Sequence, residues 1–254
     1  MSLGRLVRNL EKTKVPHLAH VDEPAAVLER YQRRQGDRER YSLLRPAALL
    51  AMQERQRAMA ELFVKVGLND LASVRLLEVG CGTGANLAEL LRFGFQSTHL
   101  QGIELLPSSV ERARSILPAA VRIFCGDAAG EMASAIPEGS QDIVFQSTVF
   151  SSLLDDGFQE LLAERMWRWL RPGGAVLWYD FTVDNPRNPD VRGVPIKRIR
   201  ELFPHGRLRV RRVTLAPPLA RAATRVHPKL YGLLNACAWL RSHVLAWVER
   251  PPGT

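Results

Sequence analysis

The chain has only three cysteines in 254 residues, Cys81, Cys125 and Cys237. They lie far apart, none forms a Cys-x-x-Cys pair, and no His/Cys cluster has metal-ligand spacing. Neither a disulfide framework nor a metal site is indicated. The three are expected to be small buried hydrophobes in a reducing compartment, which points to the cytoplasm. Long apolar runs are lacking too. Met1 to Leu10 sets Leu3, Leu6, Val7 and Leu10 on one helical stripe between basic residues, without the continuous apolar core of a secretory signal. That stripe is expected to pack on the domain or fray, with peripheral contact at the inner membrane face as the alternative. The stretch Leu230 to Val248 is interrupted by Asn235, Arg241 and His243, which argues against a transmembrane span. No repeat or low-complexity segment occurs.

Acidic residues are scarce in one place. Residues 187–254 hold 14 Lys+Arg against 3 Asp+Glu, residues 74–186 hold 8 against 14, and residues 1–73 hold 13 against 9. The net charges are +11, −6 and +4. A basic C-terminal quarter suits an anionic partner: a phosphate, a nucleotide-linked substrate, nucleic acid or an acidic membrane. A solvated arginine-rich face would give the same count. With 46% hydrophobic residues the chain can bury one full core.

The most informative stretch is Leu76-Leu77-Glu78-Val79-Gly80-Cys81-Gly82-Thr83-Gly84-Ala85-Asn86, an apolar strand, a glycine turn and a helix start. Glycines let the backbone bend sharply and approach a ligand closely, and the helix that follows offers unpaired N–H groups. Gly80, Gly82 and Ala85 also fit the dinucleotide fingerprint loosely. A second apolar run, Thr98 to Ile103, ends in Glu104, whose carboxylate can accept from both ribose hydroxyls; a dehydrogenase would share that acid. A third, Val121 to Cys125, leads into Gly126-Asp127-Ala128. A fourth is Asp142 to Gln146, and Leu170-Arg171-Pro172-Gly173-Gly174 precedes a fifth, Ala175 to Tyr179.

This ordered set, over about residues 76–181, resembles the class I S-adenosylmethionine-dependent methyltransferases, whose first motif reads E-x-G-x-G-x-G and whose fifth strand follows an L-x-P-G-G turn. The resemblance implies a Rossmann-like, doubly wound α/β sheet of seven strands in the order 3-2-1-4-5-7-6, with strand 7 antiparallel. It implies S-adenosylmethionine as cofactor, held by Glu78, Gly80, Cys81, Gly82, Gly84, Asn86, Glu104, Leu105, Asp127, Ala128 and Gln146, with Asp127 accepting from the adenine amino group. Cys81 is then a lining residue of the turn rather than a nucleophile.

Residues 1–73 are expected to form a helical extension packing on a methyltransferase domain of residues 74–254. Its helix over residues 46–66, opened by Pro46, would cover the sheet edge before the first strand. After the fifth strand, Pro195 to Phe203 reads as a short helix, and Leu208 to Leu215 and Ser242 to Val248 read as the last strands. Between them, Ala216 to Arg241 is an extra piece, helical from about Pro228. It is expected to cap the acceptor pocket with Tyr231, His227 and Trp239 as liners.

Methyl transfer to a hydroxyl needs a general base, whereas a phosphate, carboxylate or free amine does not. Asp180, at the end of strand five, is the first candidate and His205 the second, although Asp180 can also cap its own loop and His205 also reads as a turn residue. The loop after strand five offers Asn185, Arg187, Asn188 and Arg192 as donors for an anionic or sugar acceptor. It is similar to a segment of methyltransferases from bacterial surface-glycan and glycoconjugate pathways. After strand four the chain reads Gln146-Ser147-Thr148-Val149-Phe150, which departs from the D/N-P-P-Y/F run of amino-methylating nucleic-acid enzymes. A glycoconjugate or other small-molecule acceptor is the first expectation. An RNA acceptor and a non-catalytic binding subunit are the alternatives.

Overall fold

The computed structural model describes residues 22–33, 42–186 and 188–253. The amphipathic stripe at residues 3–10 therefore lies outside the described residues. Two helices lead in, α1 (Glu23–Arg33) and α2 (Pro46–Lys65). Then come β1 (Leu76–Val79), α3 (Ala85–Phe93), β2 (Leu100–Glu104), α4 (Pro107–Ile116), β3 (Arg122–Cys125) and β4 (Gln141–Ser147). The second half runs α5 (Asp156–Trp169), β5 (Leu170–Phe181), α6 (Ile196–Leu202), β6 (Arg207–Leu215), α7 (Pro217–Val226), α8 (Lys229–Asn235) and β7 (Arg241–Glu249). The strands form one sheet in the order β3-β2-β1-β4-β5-β7-β6, parallel except for β7, which is antiparallel to both neighbours.

Alternation along the strands divides the core in two. Leu77, Val79, Ile103, Val144, Val176, Trp178 and Val244 face one side, where α1, α5 and α6 pack. Leu76, Leu100, Ile143, Phe145, Leu177 and Leu245 face the other, with α2, α3 and α4. Helix starts follow their local chemistry. Proline stands in the first turn of α2, α4 and α7, where its missing N–H costs nothing, and the Asp155 carboxylate accepts from Phe158 N at 2.6 Å to cap α5.

Three expectations change. The helix at residues 46–66 does pack at a sheet edge, but it is that of the last strands in the chain and not one beside β1. It lies across β6 and β7, with Ala58, Met59 and Phe63 in the core. The extra piece before β7 contains two helices rather than one, because Pro217 and Pro218 open α7 as a helix start instead of prolonging a loop. Of the cysteines only Cys81 is buried; Cys125 and Cys237 are exposed, since β3 lies at the sheet edge and Cys237 on the outside of the cap.

Candidate functional site

The carboxyl ends of the parallel strands collect the chemistry. Gly80, Gly82 and Gly84 all have φ between 53° and 82°, a region L side chains rarely enter. A Cβ on Gly80 would meet Val149 Cγ2 at 2.5 Å, so the turn after β1 seats directly against the turn after β4. Nothing lies within 4 Å of where a Cβ on Gly82 would be, and that is the open side of the turn. Cys81 packs its sulfur toward Gly102, and burial pushes its thiol pKa up, as an inert lining residue requires.

Glu104 spans the turn. One carboxylate oxygen accepts from Gly82 N and the other from Leu106 N, each at 2.8 Å, and burial raises its pKa. Its remaining lone pairs are available to a diol. Asp127 is half-buried, and its Oδ1 accepts from Ala129 N at 2.9 Å. Leu105 and Ala128 pack beside it on the α1 side of the sheet. Gln146 is buried, and its Oε1 accepts from Val149 N at 3.0 Å, which shapes the turn after β4.

Glu78 is fully buried on the α2 side of β1 and accepts from Asn86 Nδ2 at 2.6 Å. Burial pushes its pKa up to about 8, against the opposing pull of Asn86 and Arg55. Arg55, from α2, was not legible as a site residue. Its guanidinium pairs with Glu89 of α3 at 2.9 Å and lies 5.4 Å over the Tyr179 ring. Three buried polar atoms here have no partner among the described residues: Arg55 Nε, Glu78 Oε2 and Glu89 Oε1. One unfilled donor beside two unfilled carboxylate oxygens matches a zwitterionic amino-acid end, carboxylate toward Arg55 and ammonium toward the glutamates.

Next to this cluster, Tyr179 stacks on His243 with centroids 5.0 Å apart and planes 15° apart. His243 is the third residue of β7, and the antiparallel direction puts it opposite Phe181, at the same edge as the glycine turn. Burial and the Arg55 charge lower its pKa to about 4, so the imidazole is neutral. Nδ1 meets Ser242 Oγ at 3.0 Å, and Nε2 makes no hydrogen bond among the described residues. Two threonines at positive φ hold Tyr179. Thr148 (φ 58°) donates its N–H to Tyr179 O at 2.8 Å, and Thr214 (φ 63°) meets the Tyr179 hydroxyl at 2.9 Å. For a β-branched residue that backbone is strained, and strain of this kind gathers at functional sites.

The expected catalytic and acceptor residues fare differently. Asp180 is at the anticipated strand end but 0% exposed. Its oxygens accept from Ser151 N at 3.1 Å and Phe181 N at 2.9 Å, fixing the 3₁₀ turn Phe150–Ser152. Burial pushes its pKa up to about 7. His205 is at the wrong end. It precedes Arg207, which pairs with Glu249 level with Ala175, the start of the paired β5 segment and roughly 20 Å or more from the site edge by strand rise. Tyr231 is buried rather than lining a pocket, because its hydroxyl donates to Glu54 Oε2 at 2.9 Å and ties the cap to α2. His227 is exposed and accepts from Lys229 N, and Trp239 points to solvent.

In the loop after β5, Asn188 uses its Oδ1 to accept from Asp190 N, and Asn185 O accepts from Asn188 N. Arg192 pairs with Asp156. Arg187 lies outside the described residues. Arg192, Lys197 and Arg198 line a groove of about 460 Å³ with Asp156, Asp184 and Glu201, so its charge is mixed. Above the strand ends lies α1, its Glu23 paired with Arg30 at 2.5 Å and accepting from Leu154 N, and its Arg33 paired with Asp190 at 2.7 Å. No group of side chains among the described residues has the make-up of a metal site.

Residues 76–174 match the family described as a methyltransferase domain. Over these residues the chain carries a methyltransferase domain, and its sheet has the class I order. Its cofactor is S-adenosylmethionine, and the dinucleotide reading of the glycine turn falls away. The tRNA N(3)-cytidine methyltransferase METTL2B of Homo sapiens is 33% identical over 121 residues, covering 43% of this chain and 30% of that protein. The trans-aconitate 2-methyltransferase of Azoarcus sp. (strain BH72) is 32% identical over 137 residues, covering 54% of this chain and 48% of that protein. The match thus spans half or less of these relatives' length. Among solved structures, a putative sarcosine dimethylglycine methyltransferase from Galdieria sulphuraria superposes with TM-score 0.61 at 13% identity, covering 80% of this chain and 88% of that one. A possible histamine N-methyltransferase from Thermotoga maritima gives 0.59 at 16%, covering 87% and 99%. At such identity these share the fold.

Proposed function

We propose that the chain transfers the methyl group of S-adenosylmethionine to a hydroxyl of an anionic small-molecule acceptor, a sugar or phosphosugar end of a glycoconjugate being the class favoured. The cofactor supplies a methyl already electrophilic on its sulfonium; the protein has to place the nucleophile in line, exclude water and receive a proton. The observation that carries this reading is His243. It presents a neutral imidazole with a free Nε2 at the carboxyl edge of the sheet, stacked on Tyr179 and next to the Arg55 cation. In this role Nε2 takes the acceptor's proton, Tyr179 fixes the ring plane, and Arg55 favours negative charge nearby. Asp180 keeps the turn after β4 in place and has no contact with the acceptor.

The test is an acceptor screen with labelled cofactor, followed by His243→Gln on the best acceptor. Turnover should fall by ~10²- to 10⁴-fold with cofactor affinity unchanged. Turnover within a few-fold of wild type would remove His243 from the mechanism.

A second reading has its own support. The METTL2 relatives act on tRNA by name, and Arg207, Arg209 and Arg212 stand exposed along the edge strand β6. If RNA is the acceptor, binding should fall steeply between low and physiological salt, and replacing these arginines should flatten that dependence.

A further inference from the structure

The cap between β6 and β7 leaves a surface that the methyl-transfer site does not use. Helix α7 buries Ala220 and Ala223, and Ala220 shares a small core with Tyr231 and Leu234 of α8 and Leu50 of α2. The helical period then sends Lys229, Gly232, Leu233 and Ala236 outward on one face, and Cys237, Ala238 and Trp239 continue it. Trp239 is 89% exposed, Val226 77% and Leu233 69%. Exposed apolar groups of this size gathered in one short segment call for a partner.

Charge narrows the choice. Residues 216–241 contain Arg221, Arg225, Lys229 and Arg241 and no aspartate or glutamate. No carboxylate among the described residues pairs with Arg221, Arg225 or Lys229. A second copy of this chain would bring these cations against themselves. RNA would use the cations and could stack on Trp239, but a phosphate backbone gains nothing from exposed valine and leucine. A bilayer with anionic headgroups uses both sets, since the aliphatic and indole groups enter the acyl boundary while the arginines and lysine stay at the headgroups. No helix among the described residues is long and apolar enough to cross a membrane, so the contact is peripheral.

We propose that the outward face of the cap, Val226, Leu233 and Trp239 flanked by Arg221, Arg225 and Lys229, docks on an anionic lipid surface. Leu215 and Arg241 pair where β6 leaves and β7 returns, at the edge that also carries His243. Docking therefore brings the mouth of the methyl-transfer site close to the bilayer, whatever the acceptor.

The experiment is co-sedimentation of the full chain with vesicles of phosphatidylcholine alone and with one quarter phosphatidylglycerol, together with quenching of Trp239 fluorescence by brominated lipid. Binding should require the anionic lipid, and quenching should be lost in Trp239→Phe. The Leu233→Ser, Trp239→Ser double variant should weaken partitioning by roughly tenfold or more. Arg225→Ala with Lys229→Ala should remove the preference for anionic vesicles. All variants should keep the wild-type melting temperature and cofactor affinity. Three outcomes would overturn the proposal: no vesicle binding by a chain that still binds cofactor, a dimer in light scattering that the double variant abolishes, or tRNA binding that the double variant removes while vesicle binding is unchanged.

Discussion

Tyr179 and His243 stack nearly plane on plane across the junction of a parallel and an antiparallel strand. The reversal of β7 is what allows it. A parallel last strand would bring its end, not its start, to the site. The stack ties the proposed base to the strand that follows the L-x-P-G-G turn, and Thr148 and Thr214 lock Tyr179 from either side. Tyr179→Phe keeps the ring and loses the buried bond to Thr214. It should cost about 1 kcal/mol in chemical denaturation with turnover within a few-fold of wild type. Tyr179→Leu removes the platform and should lower turnover much more than stability, because His243 is no longer held in one plane. Equal loss in both variants would mean that the hydroxyl, not the ring, matters.

Glu78 gives a pH signature. Its folded pKa of about 8 lies above the ordinary 4.5, so the folded chain holds a proton that the unfolded chain releases between those values. Stability from this group is therefore present at low pH and is lost as pH rises from about 4.5 through 8. The cofactor-free chain should melt at lower temperature at pH 9 than at pH 6, and Glu78→Gln should reduce that difference while keeping the Asn86 bond. If the cofactor's ammonium meets Glu78, binding near pH 7 should release about one proton, measured by calorimetry in two buffers of different ionisation enthalpy. A binding enthalpy independent of buffer would remove the contact.

The parallel strands and the glycine turn were legible in the sequence because their signals are local, whereas the sheet order came only with the resemblance to the class I methyltransferases. Glycines at positive φ, the acid ending β2 and the Pro-Gly-Gly before β5 each sit within a few residues of what they do. Arg55 and His243 were not legible, because only the folded sheet brings residues near 55, 89, 179 and 243 together. His243 was read as a polar interruption in an apolar run, and nothing along the helix of residues 46–66 singles out Arg55. Tyr231 failed for the opposite reason. A tyrosine on a cap suggests a pocket, but the buried Glu54 carboxylate takes its hydroxyl, and a buried carboxylate needs donors more than an acceptor pocket needs a ring.

Glu104 holds the glycine turn through Gly82 N and Leu106 N, and in the proposed site it also meets the cofactor, so its removal should be felt twice. Glu104→Ala should cost ~2–3 kcal/mol of cofactor binding, roughly 30- to 150-fold in Kd, and should also lower the melting temperature of the cofactor-free chain. Glu104→Gln keeps one accepting oxygen and should fall between the two. An unchanged Kd in Glu104→Ala would separate this acid from the cofactor altogether.

Asp180 separates a proton acceptor from a structural cap. Two backbone N–H groups point at its carboxylate, and an asparagine has only one oxygen for them, so Asp180→Asn leaves one buried N–H facing the new amide. The expected cost is about 1–3 kcal/mol in denaturant unfolding, with the turn Phe150–Ser152 loosened. If Asp180 only caps, the loss of turnover should be about tenfold or less, and the pH profile of kcat should keep its shape, because the ionisation that limits the rate lies elsewhere. If Asp180 is the base, the variant should lose ~10²-fold or more, together with any limb of the profile near pH 7, where burial has placed its pKa. The shape of that profile decides between the two, since a turn that has merely shifted scales the whole curve without moving its inflections.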